Sequence, residues 1–311
     1  MQVKKPELVI SCGSLHDVKT MIEAGADAVI IGESRFGMRL PGDMKLQDVA
    51  AAVQIAHERG AKVYVSMNNI MVNSVLPELL PYLTELQEMA VDGVIFGDPS
   101  ILVNVRQLPK PIPLHWNAEM TSTNYATANY WGRQGATRVV LARELNMEQV
   151  LEFKAKCDLA VEVQVHGITN IYHSKRELLR NYMEHQGNDA EAQDRSIDRG
   201  LFLIEHERRE LRYPVYEDAN GTHILSADDL CMLENLPELM DGHIDSFKIE
   251  GLLKSTAYNE AVVRSYRAAI DAYAGDPENF VFNDAWLTAI TELQDPEREL
   301  SYGFFYKEQV Y

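Results

Sequence analysis

The chain has 311 residues, 46% hydrophobic and 24% charged, a composition that supplies a packed core and excludes low-complexity disorder. Lys and Arg number 29 against 47 Asp and Glu, a net charge of −18 that argues against a free-standing nucleic-acid binder and against binding an anionic membrane. Leu8–Ile10 is too short for a signal-peptide core, and Cys12, Cys157 and Cys231 lie far apart, which together predict a cytoplasmic chain without a disulfide framework.

In chain order, short apolar runs alternate with amphipathic stretches. Glu7–Gly13, Ala28–Gly32, Lys62–Met67 and Gly93–Gly97 read as strands. Helices follow at Val18–Ala24, at Leu46–Arg59 with Gly60 as its stop, at Pro77–Ala90, and after Asp98-Pro99. Strands beginning at Leu114, at Arg138–Ala142 and at Ala160–Val165 continue the pattern, with helices at Asn124–Arg133 and Met147–Lys156. Ser246–Ile249 is the eighth strand, and Tyr258–Tyr273 is a long helix. Eight strand–helix units predict a (βα)8 TIM-type barrel over residues 1–275, with an open doubly wound sheet as the alternative. The first strand is not followed by G-x-G-x-x-G, and the chain carries no Walker A motif.

One region breaks the rhythm. Met183–Arg212 is polar and charged, and Asn220-Gly221 is a hairpin signal. Residues 183–229 therefore read as an insertion before the eighth strand, placed over the catalytic end of the barrel. Residues 276–311 read as a further helix and an aromatic tail packed on the barrel.

In a barrel of this kind the strand C-termini face the pocket. The polar residues there include Glu33, Arg35, Asn68, Glu119, Arg143, Glu144, His166, Lys248 and Glu250. Carboxylates beside arginine or lysine in a partly dry pocket do acid–base work, or form structural ion pairs. Arg143, Glu144, His166, Lys248 and Glu250 are expected around one pocket, since they end three strands that are neighbours in a barrel. Within that set Glu144, His166 and Glu250 are the catalytic candidates; Glu33, Arg35, Asn68, Glu119, Arg143 and Lys248 are candidates for substrate binding. His166 also reads as a hydrogen-bonded core residue. No protease triad order, H-E-x-x-H or C-x-x-C pattern is present, and no metal site is expected.

Three segments carry a resemblance: Arg138–Val150 (RVVLARELNMEQV), Asp229–Leu239 (DLCMLENLPEL) and Ile244–Tyr273, which contains IDSFKIEGLLKS. With Glu162–Arg180 (EVQVHGITNIYHSKRELLR), which fits the family signature at Glu162, His166, Gly167, Arg176 and Leu179, the chain resembles the peptidase U32 family over nearly its whole length. The two signature cysteines are replaced by Asn170 and Glu177, and the glycine before the arginine by Lys175. The resemblance implies that several relatives hold an iron–sulfur cluster through those cysteines, another in the next loop, and the one that stands here as Cys231. A single thiol does not hold a cluster, so the cofactor is expected only in a partner. The resemblance further implies either an older peptidase (collagenase-like) activity or oxygen-independent hydroxylation, including prephenate-dependent formation of 5-hydroxyuridine at the tRNA wobble position. A short chain without cluster ligands looks like one half of a tRNA-hydroxylating pair, with a longer U32 subunit as partner, tRNA reached through the complex, and a small carboxylate such as prephenate as ligand. A peptidase and a non-catalytic scaffold subunit are the alternatives.

Overall fold

The computed structural model describes residues 4–119, 122–187, 189 and 193–307. The first part of the chain alternates strictly. It runs β1 (Glu7–Ser11), α1 (Leu15–Ala24), β2 (Ala28–Ile31), α2 (Leu46–His57), β3 (Lys62–Met67), α3 (Leu76–Glu88) and β4 (Gly93–Phe96). It continues with α4 (Pro99–Val105), β5 (Leu114–Asn117), α5 (Tyr125–Gln134), β6 (Ala136–Val140), α6 (Met147–Lys156) and β7 (Ala160–Ser174). The strands are apolar runs because helices cover one face and the barrel interior the other; Leu8, Val9, Ile10, Val29 and Ile31 are all fully buried. Helix starts are set by side chains: Ser14 accepts from the Asp17 N–H, and Asn146 forms a reciprocal capping box with Gln149.

A polar excursion follows: α7 (Leu178–His185), β8 (Phe202–Ile204), β9 (Arg212–Asp218) and β10 (Gly221–Cys231). The chain then returns through α8 (Leu236–Asp241), β11 (Ser246–Glu250), α9 (Thr256–Gly275), α10 (Asp284–Thr291) and β12 (Leu300–Ser301). β1 to β7 pair in sequence in parallel, and β11 pairs in parallel with both β1 and β7. The sheet is therefore a closed eight-stranded parallel barrel, as the alternation predicts, and the open-sheet alternative is excluded.

The barrel interior is layered. Val9, Ala28, Ile30, Tyr64, Ile95 and Val140 form its apolar middle. The N-terminal end is closed by charge: Glu7 pairs with Arg138 (2.7 Å) and Lys62 (2.7 Å), and Arg138 reaches Glu162 (2.9 Å). The Tyr64 hydroxyl donates to Glu7 (2.8 Å). That plug leaves the C-terminal mouth as the open end.

β7 is longer than the sequence suggests. It serves the barrel up to His166, then runs on to Ser174 as an antiparallel partner of β10, which pairs with β9, and β9 with β8. The arm thus begins inside β7, upstream of residue 183, because the mate that extends β7 from His166 to Ser174 lies at 222–231, far along the chain. Residues 188 and 190–192 of the expected insertion lie outside the described residues.

The root of the arm is a buried ion cluster. The fully buried Asp229 carboxylate pairs with Lys254 and with Arg298 (2.7 Å) and accepts from Gln294 (2.8 Å). Burial alone would raise this carboxyl; the hydrogen bond from Arg298 and the charge of Lys254 bring it down to about 2. β7 leaves the barrel at Gly167, whose φ is +96° and where an added Cβ would strike the Glu250 carbonyl oxygen. Gly167→Ala is therefore expected to lower stability by about 3 kcal/mol, read as a fall in the urea midpoint at unchanged slope.

Candidate functional site

The mouth is built from the ends of β1, β3, β5 and β11 and from the loop between β2 and α2. At its centre is Glu119, just past β5, whose N–H donates to Asn117 Oδ1 (3.0 Å). Arg39 Nη2 donates to Glu119 Oε2 (2.9 Å), and Arg143 Nη1 stands 3.8 Å from Oε1. Both members of the Arg39–Glu119 pair are more than nine-tenths buried. Burial opposes ionisation of Glu119, but Arg143, Lys248 and Arg39 outweigh it and hold the carboxyl down at about 2. Glu119 is thus a permanent anion, not a proton donor.

A second pair closes the opposite wall. Lys248 Nζ lies 3.2 Å from Glu250 Oε2, the Ser11 hydroxyl donates to Glu250 Oε1, and Gly251 N–H donates to Ser11 Oγ (2.8 Å). Burial works against the Lys248 charge, yet Glu250, Glu119 and Glu162 raise its pKa overall, so it stays an ammonium. Three cations, Arg39, Arg143 and Lys248, meet three carboxylates, Glu119, Glu250 and Glu162, the last of which also reaches Arg138 in the floor. Arg39 Nη1 is buried with no hydrogen-bond partner.

Of the residues singled out from sequence, Asn68, Glu119, Arg143, Lys248 and Glu250 come together here. Asn68 Oδ1 accepts from the Met38 N–H (2.8 Å) and shapes the loop that carries Arg39. Glu33 pairs with Lys45 (2.9 Å), and Arg35 pairs with Glu78 on the half-exposed outer surface. Glu144 lines an adjoining cavity, not the mouth.

His166 is also elsewhere. A register shift between Lys248 and Ile249 pairs Lys248 with Gln164 but Ile249 with His166. That irregularity flips His166 to the outer face, where Nε2 meets the Tyr258 hydroxyl (2.9 Å) and Nδ1 the Tyr266 hydroxyl (3.3 Å). It is fully buried, and burial lowers its pKa to about 3. The expectation of five residues around one pocket is corrected to this extent.

Sequence reasoning missed two residues. Arg39 sits inside a loop rather than at a strand end, at φ +55°; the glycines around it, Gly32, Gly37 and Gly42, were the available signal. Asn220, at the tip of the β9–β10 hairpin, reaches across the mouth. It accepts from Asn69 Nδ2 (2.6 Å) and donates to the carbonyls of Ser34 (3.0 Å) and Gly37 (3.4 Å). The arm therefore clamps the loop that presents Arg39.

Residues 13–310 match the sequence profile of peptidase family U32. The chain belongs to that family. It is 45% identical over 310 residues to tRNA hydroxylation protein P2 of Bacillus subtilis (strain 168), covering 99% of this chain and 100% of that one. It is 33% identical to tRNA hydroxylation protein P1 of the same organism, covering 99% of this chain and 74% of the relative. Among solved structures, the U32 peptidase Mk0906 superposes with a TM-score of 0.51 at 18% identity over 80% of this chain and 94% of that one, a likeness of fold alone.

The iron–sulfur cluster implied for some relatives does not fit the residues present. Asn170 and Glu177 stand at the two signature positions. The Cys231 thiol is buried 3.9 Å from the Tyr266 hydroxyl, and burial pushes its pKa up, away from the thiolate a metal needs. Among the described residues no group of three or more His, Cys, Asp or Glu is placed to hold a metal ion.

Two outcomes are expected. Asn220→Ala removes the clamp; hydrogen–deuterium exchange should rise across residues 34–40 with the barrel strands unchanged, at a stability cost of about 1–3 kcal/mol. The His166 ring should show no titration by NMR between pH 5 and 8. The unfolded chain binds that proton near pH 6.5, so His166 costs the fold stability as pH falls through 6.5 towards about 3.

Proposed function

We propose that this chain is a subunit of a tRNA-hydroxylating system that acts at position 5 of the wobble uridine. It works beside a longer U32 subunit that carries the iron–sulfur cluster, and its barrel mouth binds a small carboxylate such as prephenate. The observation that carries this reading is the end-to-end match to tRNA hydroxylation protein P2.

The mouth supports the carboxylate. Three cations are concentrated there in a chain of net charge −18, and one buried Arg39 nitrogen has no partner. Guanidinium forks match carboxylate geometry, and Arg39 and Arg143 present two of them. Glu119 holds both forks in place while ionised. Lys248 adds a point charge whose position is fixed by Glu250 and, through it, Ser11. Glu144 and Glu250 remain the candidates for proton transfer, Glu250 from the mouth and Glu144 from the adjoining cavity. His166 acts as a positioning residue, holding β7 to α9 through its two tyrosine contacts.

The acidity of the chain assigns the tRNA backbone to the partner, because phosphate contacts dominate such affinity. Among the described residues no helix is long and apolar enough to cross a membrane, in keeping with action in the cytoplasm. Peptide hydrolysis is disfavoured: the Ser11 hydroxyl is held by Glu250 and Gly251, and His166 meets only tyrosines with its ring nitrogens.

Deleting the gene should remove or lower tRNA 5-hydroxyuridine and its derivatives, measured by mass spectrometry of tRNA nucleosides. Complementation with Arg39→Ala or Glu250→Gln should restore about tenfold less modification than the unaltered gene. Unchanged nucleosides in the deletion strain would reject the assignment.

A further inference from the structure

The barrel strands form a ring in the order β1 to β7 and then β11, so β7 stands diametrically opposite β3. The arm leaves the ring at the end of β7 and is fastened again beyond the ends of β2 and β3. Asn220, at the β9–β10 tip, meets Asn69 just past β3 and the Ser34 and Gly37 carbonyls past β2. Lys175, where the extension of β7 ends, donates to the Ile70 carbonyl past β3. A ribbon that starts on one side of a ring and is fastened on the other crosses its opening. The antiparallel sheet of β7, β9 and β10 is therefore a cover over the mouth.

The cover is shut. On its near side Ile168, Tyr216 and Leu225 pack with Leu252, just past β11, in a buried apolar cluster. On its far side Asn220 is itself buried. The space enclosed beneath is about 40 Å³, room for a few waters, against the roughly 300–1,000 Å³ of small-molecule sites. Arg39 Nη1 and Glu162 Oε1, both without a hydrogen-bond partner, belong to residues that line this space. Between the fastened tip and the root of the arm, the ladder is interrupted. β10 slips register against β7 between Ile224 and Leu225 and again between Leu225 and Asp229, so residues 226–228 fall outside the pairing. Asp229 itself is fixed by Lys254 and Arg298. An irregular stretch between a fixed root and a tip held by a few hydrogen bonds is where a sheet bends.

We propose that the β9–β10 hairpin is a lid that admits ligand to the mouth by bending at residues 226–228, with Asn220 as its latch. Closed, the lid keeps water from the charges of the mouth, where their interactions are stronger for its absence. Opened, it exposes Arg39 and Lys248 to a guest. Asn220 is a positioning residue: its release frees both the hairpin tip and the loop that carries Arg39. That the guest is a small carboxylate rests on the reading above; the lid does not.

The test is alkylation of a thiol placed under the lid. Ser66 is buried on β3 and lines the mouth. The purified full-length Ser66→Cys chain is treated with iodoacetamide, and labelling at position 66 is followed by peptide mass spectrometry. Cys12, buried in the core between strands and helices, is the internal control. In the folded chain the thiol at position 66 should react about a hundredfold more slowly than in urea. Adding Asn220→Ala should speed that labelling about tenfold. Asn220→Asp keeps the acceptor for Asn69 but loses the donor to Ser34 and Gly37, and should speed it nearly as much. Cys12 should be unchanged in both. Folded-state labelling as fast as in urea would show an uncovered mouth and overturn the proposal. So would an unchanged rate in both Asn220 variants, or a parallel rise at Cys12, which would make the opening a general loosening of the barrel. Lost tRNA modification on gene deletion together with labelling indifferent to Asn220 would remove the lid and leave the hydroxylation reading standing. Unchanged tRNA nucleosides together with latch-dependent labelling would do the reverse.

Discussion

A closed eight-stranded barrel is filled by its own side chains, so charged groups inside it are driven to the two ends. Here the middle belongs to Val9, Ile30, Ile95 and Val140, and ionised groups collect below and above. Below, Glu7 and Glu162 are neutralised by Lys62 and Arg138 and seal the floor. Above, the pairing is incomplete by one arginine nitrogen without a partner. A buried ion pair is weak evidence for stability, because desolvation offsets its attraction. A cluster of such pairs at the open end, with one Arg39 nitrogen left unmatched, is therefore not explained by stability alone.

The strands were legible because burial on both faces writes them as apolar runs, and the short connections between them leave little choice of topology. Glu119, Arg143, Lys248 and Glu250 were legible for the same reason: each lies at or just beyond a strand end. What escaped notice was everything set by contacts distant in sequence. Arg39 reaches the mouth from a loop, and its partner Glu119 is 80 residues away. Asn220 announces a hairpin, but nothing near it in the chain says that the hairpin tip lies on Ser34 and Gly37, more than 180 residues earlier. His166 was misplaced by a single irregularity of register, because the period-2 rule that assigns faces to a strand fails at a bulge.

The arm gives the barrel a second use of one strand. Up to His166, β7 is a wall between the lumen and α9; beyond Gly167 it becomes the base of an antiparallel sheet that hangs over the rim. Tyr266 holds that junction from outside, donating to the Val165 carbonyl (2.8 Å) and accepting from the Met232 N–H (3.0 Å). The segment Glu162–Arg180 lies across this junction and serves the transition from barrel to arm. Asn170 stands just past it and lines the cavity adjoining the mouth.

The cluster around Asp229 has a bearing on how the molecule is made. Asp229 needs Arg298, and the two are 69 residues apart in the chain. At roughly 5–20 residues per second, the ribosome has completed the barrel strands and the arm several seconds before it supplies the guanidinium that neutralises the arm's root. During that interval the carboxylate has only Lys254 to pair with, and the sheet that overhangs the mouth is incompletely anchored. Synthesis therefore delivers the barrel and its cover first and the cover's anchor last, with the segment around Arg298 acting as the fastening that commits the arm to its place.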